Sequence, residues 1–305
     1  MKSFKLNLTG EDVANIICDE HPDAVHIKRI DMGERSSVYQ FDTAAAQYVA
    51  HFRLDSESID KAKQIYHKYG ATLPIPKVHH TNVVNGIHYM FSERVNGKPI
   101  VSYEKSTQSR ILKKLTFVYS KIVNTKTNGK FGWIDPDGHA KLTSWPEVLE
   151  SFFIEEVDGF YGNWKTLFEE EILEREPFDQ GFKKMMELAS YAPRTSFLVH
   201  GDFHLGNMLS DGEKVTRIVD WEMAMQGDFM FDLAGLHFWS PEMNFPKMMK
   251  EIWTEQGIEI PHFKERLYAN LLFKATDGLR FYAKQEHKEG YEYIKTKLYQ
   301  LLNDV

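Results

Sequence analysis

Between residues 25 and 98 apolar and polar positions alternate with a period of two, broken once by a helical pattern. Val25-His26-Ile27-Lys28-Arg29-Ile30 reads as a half-buried strand, because successive side chains of a strand point to opposite faces. A polar turn follows over Met32-Gly33-Glu34-Arg35-Ser36-Ser37. The alternation resumes in Ser37-Val38-Tyr39-Gln40-Phe41, and Gln47 to Arg53 predicts a third strand. From Ser56 to Tyr69 the spacing becomes helical, with Ile59, Ala62, Ile65, Tyr66 and Tyr69 on one side. Leu73-Pro74-Ile75-Pro76 stops that helix, since proline cannot continue a helix interior. Lys77 to Val84 and Gly86 to Val95 predict a hairpin turning at Asn85-Gly86.

Beyond Lys98 the pattern is mainly helical. Gln108 to Asn124 aligns Ile111, Leu112, Leu115, Val118, Tyr119 and Ile122. Trp145 to Gly159, Phe178 to Tyr191 and most of Pro246 to Leu302 also predict helices, while Ser196 to His200 and Val215 to Trp221 are short β-like runs. The expected class is α+β: a small β-rich lobe over 1–95 and a large helical lobe over 96–305, with a site between them.

Composition narrows the function. The 305 residues carry a net charge of −7, which argues against a nucleic-acid partner and suits a cationic one. A single cysteine, Cys18, excludes an internal disulfide and a cysteine-based zinc site. No apolar run reaches the length of a membrane span, and the first ten residues lack a signal-peptide core. A cytoplasmic setting is expected.

The chemistry concentrates in Phe197-Leu198-Val199-His200-Gly201-Asp202-Phe203-His204-Leu205-Gly206-Asn207 and in Arg217-Ile218-Val219-Asp220-Trp221. Two apolar runs each deliver an aspartate, and Asn207 follows Asp202 at the separation that separates base and metal ligand in kinase catalytic loops. The layout predicts a hairpin presenting Asp202, Asn207 and Asp220 at one end. Phosphoryl transfer needs one carboxylate to accept the hydroxyl proton and hard oxygen ligands to hold Mg²⁺. Asp202 fits the first role; Asn207 and Asp220 fit the second. Asp and Asn are also common turn residues, but both strands, the His-Gly lead-in and the second aspartate outweigh that reading.

His200-Gly201-Asp202…Asn207 with Ile218-Val219-Asp220-Trp221-Glu222 resembles the signature of the aminoglycoside phosphotransferase and choline kinase superfamily. Met32-Gly33-Glu34-Arg35-Ser36, Tyr48-Val49-Ala50, Leu73 to Val78 and Gly227-Asp228…Asp232-Leu233-Ala234…Phe238-Trp239 are similar in order and spacing to the hygromycin B phosphotransferases. The resemblance implies a protein-kinase-like bilobal fold that binds ATP, or alternatively GTP, with Mg²⁺. It makes Asp202 the catalytic base and Asn207 and Asp220 the magnesium ligands. It places Gly33, Ser36 and Ser37 in a loop over the phosphates, and Ser92, Glu93 and Val95 in the hinge that meets adenine. The implied acceptor is a cationic or polyhydroxyl small molecule such as hygromycin B. The alternatives are a housekeeping kinase of a small alcohol or sugar, and a nucleotide-binding pseudokinase.

Family members place a phosphate-binding lysine on the third strand; here His51 stands there, with Arg53 two residues on along the same face. Histidine is mostly neutral at pH 7, so Arg53 is the candidate for the missing charge, and Glu57 or Asp60 for the helix carboxylate. The competing reading of His51 is a strand residue without a phosphate contact. His200 is expected to brace the catalytic turn and His204 to line the loop, with Asp228 and Asp232 anchoring the following loop and capping the next helix. Glu222 is either a supporting residue or exposed. Trp133, Trp145, Trp164, Glu150, Glu155, Glu156 and Asp158 read first as a solvated amphipathic helix and second as a sugar-binding surface; Asp277 is a minor candidate for the acceptor pocket.

Overall fold

The computed structural model describes residues 8–30, 36–135, 137–155, 157 and 159–305. In chain order the elements are α1 (Gly10–Glu20), β1 (Val25–Ile30), β2 (Ser37–Asp42), β3 (Gln47–Arg53), α2 (Glu57–Tyr69), β4 (Val78–Val84), β5 (Ile87–Glu93), β6 (Lys98–Pro99), α3 (Lys105–Val123) and β7 (Gly132–Trp133). Then follow α4 (Trp145–Ser151), α5 (Thr166–Glu169), α6 (Arg175–Ala189), β8 (Phe197–Val199), β9 (Met208–Ser210), β10 (Val215–Ile218), β11 (Met225–Gly227), α7 (Met230–Trp239), α8 (Phe245–Glu255), α9 (Phe263–Lys284) and α10 (Lys288–Asn303). The chain divides into two compact units: 1–111 with 135–138 and 206–222, and 112–134 with 139–205 and 223–305.

The first unit is built on an antiparallel sheet of order β1-β2-β3-β5-β4. Tyr39, Phe41, Tyr48, Ala50, Phe52, Tyr89 and Phe91 bury against Val13, Ile16 and Ile17 of α1. That helix lies outside the elements expected from the sequence. It begins with a capping box in which Thr9 and Asp12 exchange hydrogen bonds. With one sheet face filled by aromatics, alternation leaves Val38, His51, Arg53, Met90 and Ser92 on the other. Val38, His51 and Met90 stand side by side across three strands. The β9–β10 hairpin and β6 form a second small sheet in this unit.

The second unit is helical around a three-stranded sheet of order β7-β11-β8. Helix α9 packs against α6, α7 and α10, and its Asn270 accepts the indole N–H of the buried Trp145 at 3.1 Å. The helix expected over 145–159 ends at Ser151 instead. Phe152 and Phe153 both stack edge-on against Phe273, and the guanidinium of Arg280 takes the Phe152 carbonyl at 2.6 Å. Two adjacent rings turned against Phe273 and a carbonyl satisfied from α9 mark the point where the helical turns stop. No described helix is long and apolar enough to cross a membrane.

Candidate active site

The sequence places Asp202, Asn207 and Asp220 on one hairpin, and here the structure differs. Strand β8, which leads into Asp202, pairs with β11; β9, which follows Asn207, pairs with β10 and β6. Two sheets, not one hairpin, carry the three residues. The reason is length: the five residues after Gly201 let the chain leave one sheet before entering the next. Within the first unit Asn207 and Asp220 come together, because the Val219 N–H donates to the Asn207 carbonyl at 2.9 Å at the open end of β9–β10. Asp220 is exposed and has φ +61°, a left-handed backbone that costs about 1–2 kcal/mol for a residue with a Cβ. Strain of that kind persists where a side chain has to be aimed.

In the second unit the Asp202 turn is clamped from below. The buried carboxylate of Asp232 accepts the backbone N–H groups of His200 and Gly201 at 2.8 and 2.9 Å. Asp232 therefore does not cap α7, as the sequence suggested; it enters from that helix's first turn to hold the His200–Gly201 turn. Asp228 anchors the start of α7 through the Met230 N–H, and the Arg266 guanidinium grips both its oxygens at 2.7 and 2.9 Å. His200, fully buried, accepts the Asp202 N–H through Nδ1 at 3.3 Å, the bracing role expected of it. Gly201 is required at its position: φ is +88° and an added Cβ would lie 2.0 Å from the Met223 carbonyl oxygen.

Asp202 keeps a half-exposed carboxylate with His204 Nε2 at 3.3 Å. Partial burial acts to raise its pKa, but hydrogen bonding and charge from His204, then Lys274 and His200, overcome this and hold it well below the usual carboxylate range. Asp232 goes the other way: burial pushes it up to about 7 although two N–H groups and Lys274 oppose the rise. Lys274 was not foreseen. It extends from α9, donates to the Gly201 carbonyl at 3.3 Å and covers the Phe231 ring at 3.8 Å. Burial lowers its pKa, against the pull of Asp202, Asp277 and Asp232. Arg266, Asn270, Lys274 and Asp277 recur every three or four residues on this largely buried helix. Such a polar stripe must meet partners, which is the signal a sequence reading could have used.

Ser36, Ser37, His51, Arg53, Ser92, Glu93 and Val95 lie in the first unit. Gly33 is outside the described residues, as are Glu156 and Asp158. Ser36 accepts from Arg53 Nη1 at 3.4 Å, and Ser37 is buried. His51 stands between Val38 and Met90 on neighbouring strands and is half-buried; burial first, then Arg53 nearby, pushes it down to about 4, which favours the neutral ring near pH 7. Arg53 is committed as well: both Glu222 oxygens receive its Nη atoms at 2.8 and 3.1 Å, and Asp55 receives Nε at 3.2 Å. Glu222 is thus the counter-charge of Arg53. Ser92 donates to the Val49 carbonyl at 3.4 Å. The Glu93 carboxylate is held by Arg217 and by the Lys77 N–H, and Val95 follows, half-buried. Trp145 and Trp164 belong to the core, while Trp133, Glu150 and Glu155 are exposed. Asp277 pairs with Arg280 at 2.5 Å.

The model of the phosphotransferase enzyme family, APH, matches residues 26–259. The chain belongs to this family. It is 25% identical over 242 residues to hygromycin-B 4-O-kinase of Escherichia coli, covering 78% of this chain and 69% of that relative. A thermostable mutant of aminoglycoside phosphotransferase APH(4)-Ia, solved in ternary complex with ADP and hygromycin B, superposes with a TM-score of 0.80 at 20% identity over 95% of this chain and 98% of that one. Macrolide 2'-phosphotransferase type I gives 0.63 at 13% identity over 95% and 98%. The expected α+β, kinase-like fold, with a small antiparallel sheet followed by a helical lobe, is the fold of this phosphotransferase.

Proposed function

We propose that this phosphotransferase moves the γ-phosphoryl group of ATP to a hydroxyl of an aminoglycoside, with hygromycin B the first acceptor to test. The reading is carried by the ionised Asp202 carboxylate on a loop locked by Asp232 and Lys274. Asp202 orients the acceptor hydroxyl and takes its proton as the phosphoryl group arrives. The family relationship and the ADP- and hygromycin-bound relative support nucleotide and acceptor class. Asn207 and Asp220 supply two hard oxygen ligands joined across the end of one hairpin, a donor set that suits Mg²⁺ while phosphate oxygens and water complete its shell. The metal would neutralise phosphate charge. Ser36, Ser37, Ser92, Glu93 and Val95 are proposed to line the nucleotide, the last three through backbone groups, with GTP as the alternative donor. His51 takes a packing role there, since it is neutral.

That neutral histidine favours one competing reading, a pseudokinase that binds nucleotide without turnover. ATP and GTP consumption with a panel of aminoglycosides and small alcohols decides between them. Turnover with hygromycin B or a related aminoglycoside is expected, with Asp202→Asn inactive but still binding nucleotide. Turnover only with a small alcohol, or none with any acceptor, would overturn the assignment.

A further inference from the structure

Burial alternates along the loop that carries Asp202. Phe203 and Leu205 are buried, and the Phe203 ring lies 5.0 Å from that of Tyr119. The side chains of Asp202 and His204 instead stay 45% and 33% exposed. Phe203 and Leu205 pin the backbone on either side of His204. Asp202 is set by its own N–H on His200 Nδ1 and by the grip of Asp232 and Lys274 on Gly201. Asp202 and His204 thus emerge on the open side of a firmly anchored loop, where His204 Nε2 comes to 3.3 Å from Asp202 Oδ2.

An ionised carboxylate only accepts hydrogen bonds, so this contact needs a proton on Nε2. A neutral imidazole in that tautomer meets the need as well as a charged one. Burial acts to raise the Asp202 pKa, and the hydrogen bond from His204 is the largest influence opposing the rise. Stability is a poor reason for the pair, because partners this open to water add little to it. Direction is the better one. The last torsion of an aspartate is broad, and a base must aim a lone pair at the hydroxyl that it deprotonates.

We infer that His204 is a positioning residue for Asp202: its Nε2–H grips one carboxylate oxygen and fixes the rotation of the group that meets the acceptor hydroxyl. This rests on the proposed kinase function and adds the residue that aims its base. In the transfer the acceptor oxygen bonds the γ-phosphorus and the bond from that phosphorus to the bridging oxygen of ADP breaks. The hydroxyl proton passes to the Asp202 carboxylate, and ADP leaves. His204 exchanges nothing in this step; it holds Asp202 throughout.

Two measurements test it. The first is steady-state kinetics with MgATP and hygromycin B, or the best acceptor of the panel. His204→Leu keeps the bulk and loses the donor; kcat is expected to fall about ten-fold or more while both KM values stay within about three-fold. His204→Gln places an amide N–H near the Nε2 position and is expected to restore kcat to within about three-fold of the parent. Thermal melting checks that both variants are folded. Parental kcat in His204→Leu, a loss confined to KM, or His204→Gln as slow as His204→Leu would each overturn the inference. The second is NMR of the parent labelled with ¹⁵N-histidine, with the His204 signals assigned by their absence in His204→Gln. A proton on Nε2 is expected; a neutral ring protonated on Nδ1 alone would overturn the contact whatever the kinetics show. A parent that turns over normally while either test fails sinks the inference and spares the functional assignment. A parent inert towards every acceptor sinks both.

Discussion

Asp232 holds Gly201 by its backbone: one carboxylate oxygen accepts the Gly201 N–H at 2.9 Å while the other accepts that of His200. The pair lies 31 residues apart in sequence, and it fixes the turn from which Asp202 projects. Asp232 is pushed up to about 7 by burial, whereas an unfolded aspartate titrates near 4. Between those values the folded chain retains a proton that the unfolded chain has lost. Its contribution to stability therefore falls as pH rises through about 4 to 7 and levels off above, with a slope of at most about 1.4 kcal/mol per pH unit. Urea denaturation at pH 5 and pH 8 should show this decline in the parent and a smaller one in Asp232→Asn. Equal declines would mean that Asp232 is not the group titrating.

Gly201→Ala is expected to destabilise the protein by about 3 kcal/mol or more. Its φ of +88° disfavours any Cβ, and the new atom would strike the Met223 carbonyl. Backbone cannot swing aside as a flexible side chain can. A melting temperature within a degree of the parent would show that the loop relaxes freely.

Lys274→Met removes the hydrogen bond to the Gly201 carbonyl and a positive charge beside Asp202. The Asp202 carboxyl should then move up towards its ordinary range. We expect kcat to fall about ten-fold or more, the acid limb of its pH profile to shift upward, and KM for the nucleotide to change little; a ten-fold loss corresponds to about 1.4 kcal/mol of barrier. If KM rises while kcat and the acid limb stay fixed, Lys274 serves nucleotide binding instead of acting on Asp202.

Arg53 and Glu222 form a bidentate pair with the arginine almost fully buried and the glutamate partly exposed. Glu222→Gln leaves a buried guanidinium with a weaker acceptor and is expected to cost about 1–3 kcal/mol in chemical denaturation, less than a wholly buried pair because water reaches the carboxylate. A double-mutant cycle with Arg53→Met should recover part of the loss. Simple additivity would show that the two residues act independently.

Much of this could be read from local pattern. The strands of the first sheet announce themselves by alternation, and their bounds match the reading within two residues because Asn85-Gly86 and the Leu73 to Pro76 segment punctuate the chain. The signature around Asp202 and Asp220 marked the family because its residues fall within a short stretch of sequence. Asp232 was misassigned as a cap because its partners are backbone groups of a distant loop. Its helix, apolar on every side, nevertheless signalled that a lone acid there must be satisfied internally.

Sequence alone thus determined the family, the strands of the first sheet with the helix between them, and the candidate residue types for phosphoryl transfer, since each depends on neighbours within a few positions. Only tertiary structure decided how those residues are supported. Arg53 meets Glu222 across 169 residues and Lys274 meets Gly201 across 73. Such pairings arise when packing buries charges that must then find one another, and a linear pattern does not record which distant partner supplies the opposite charge.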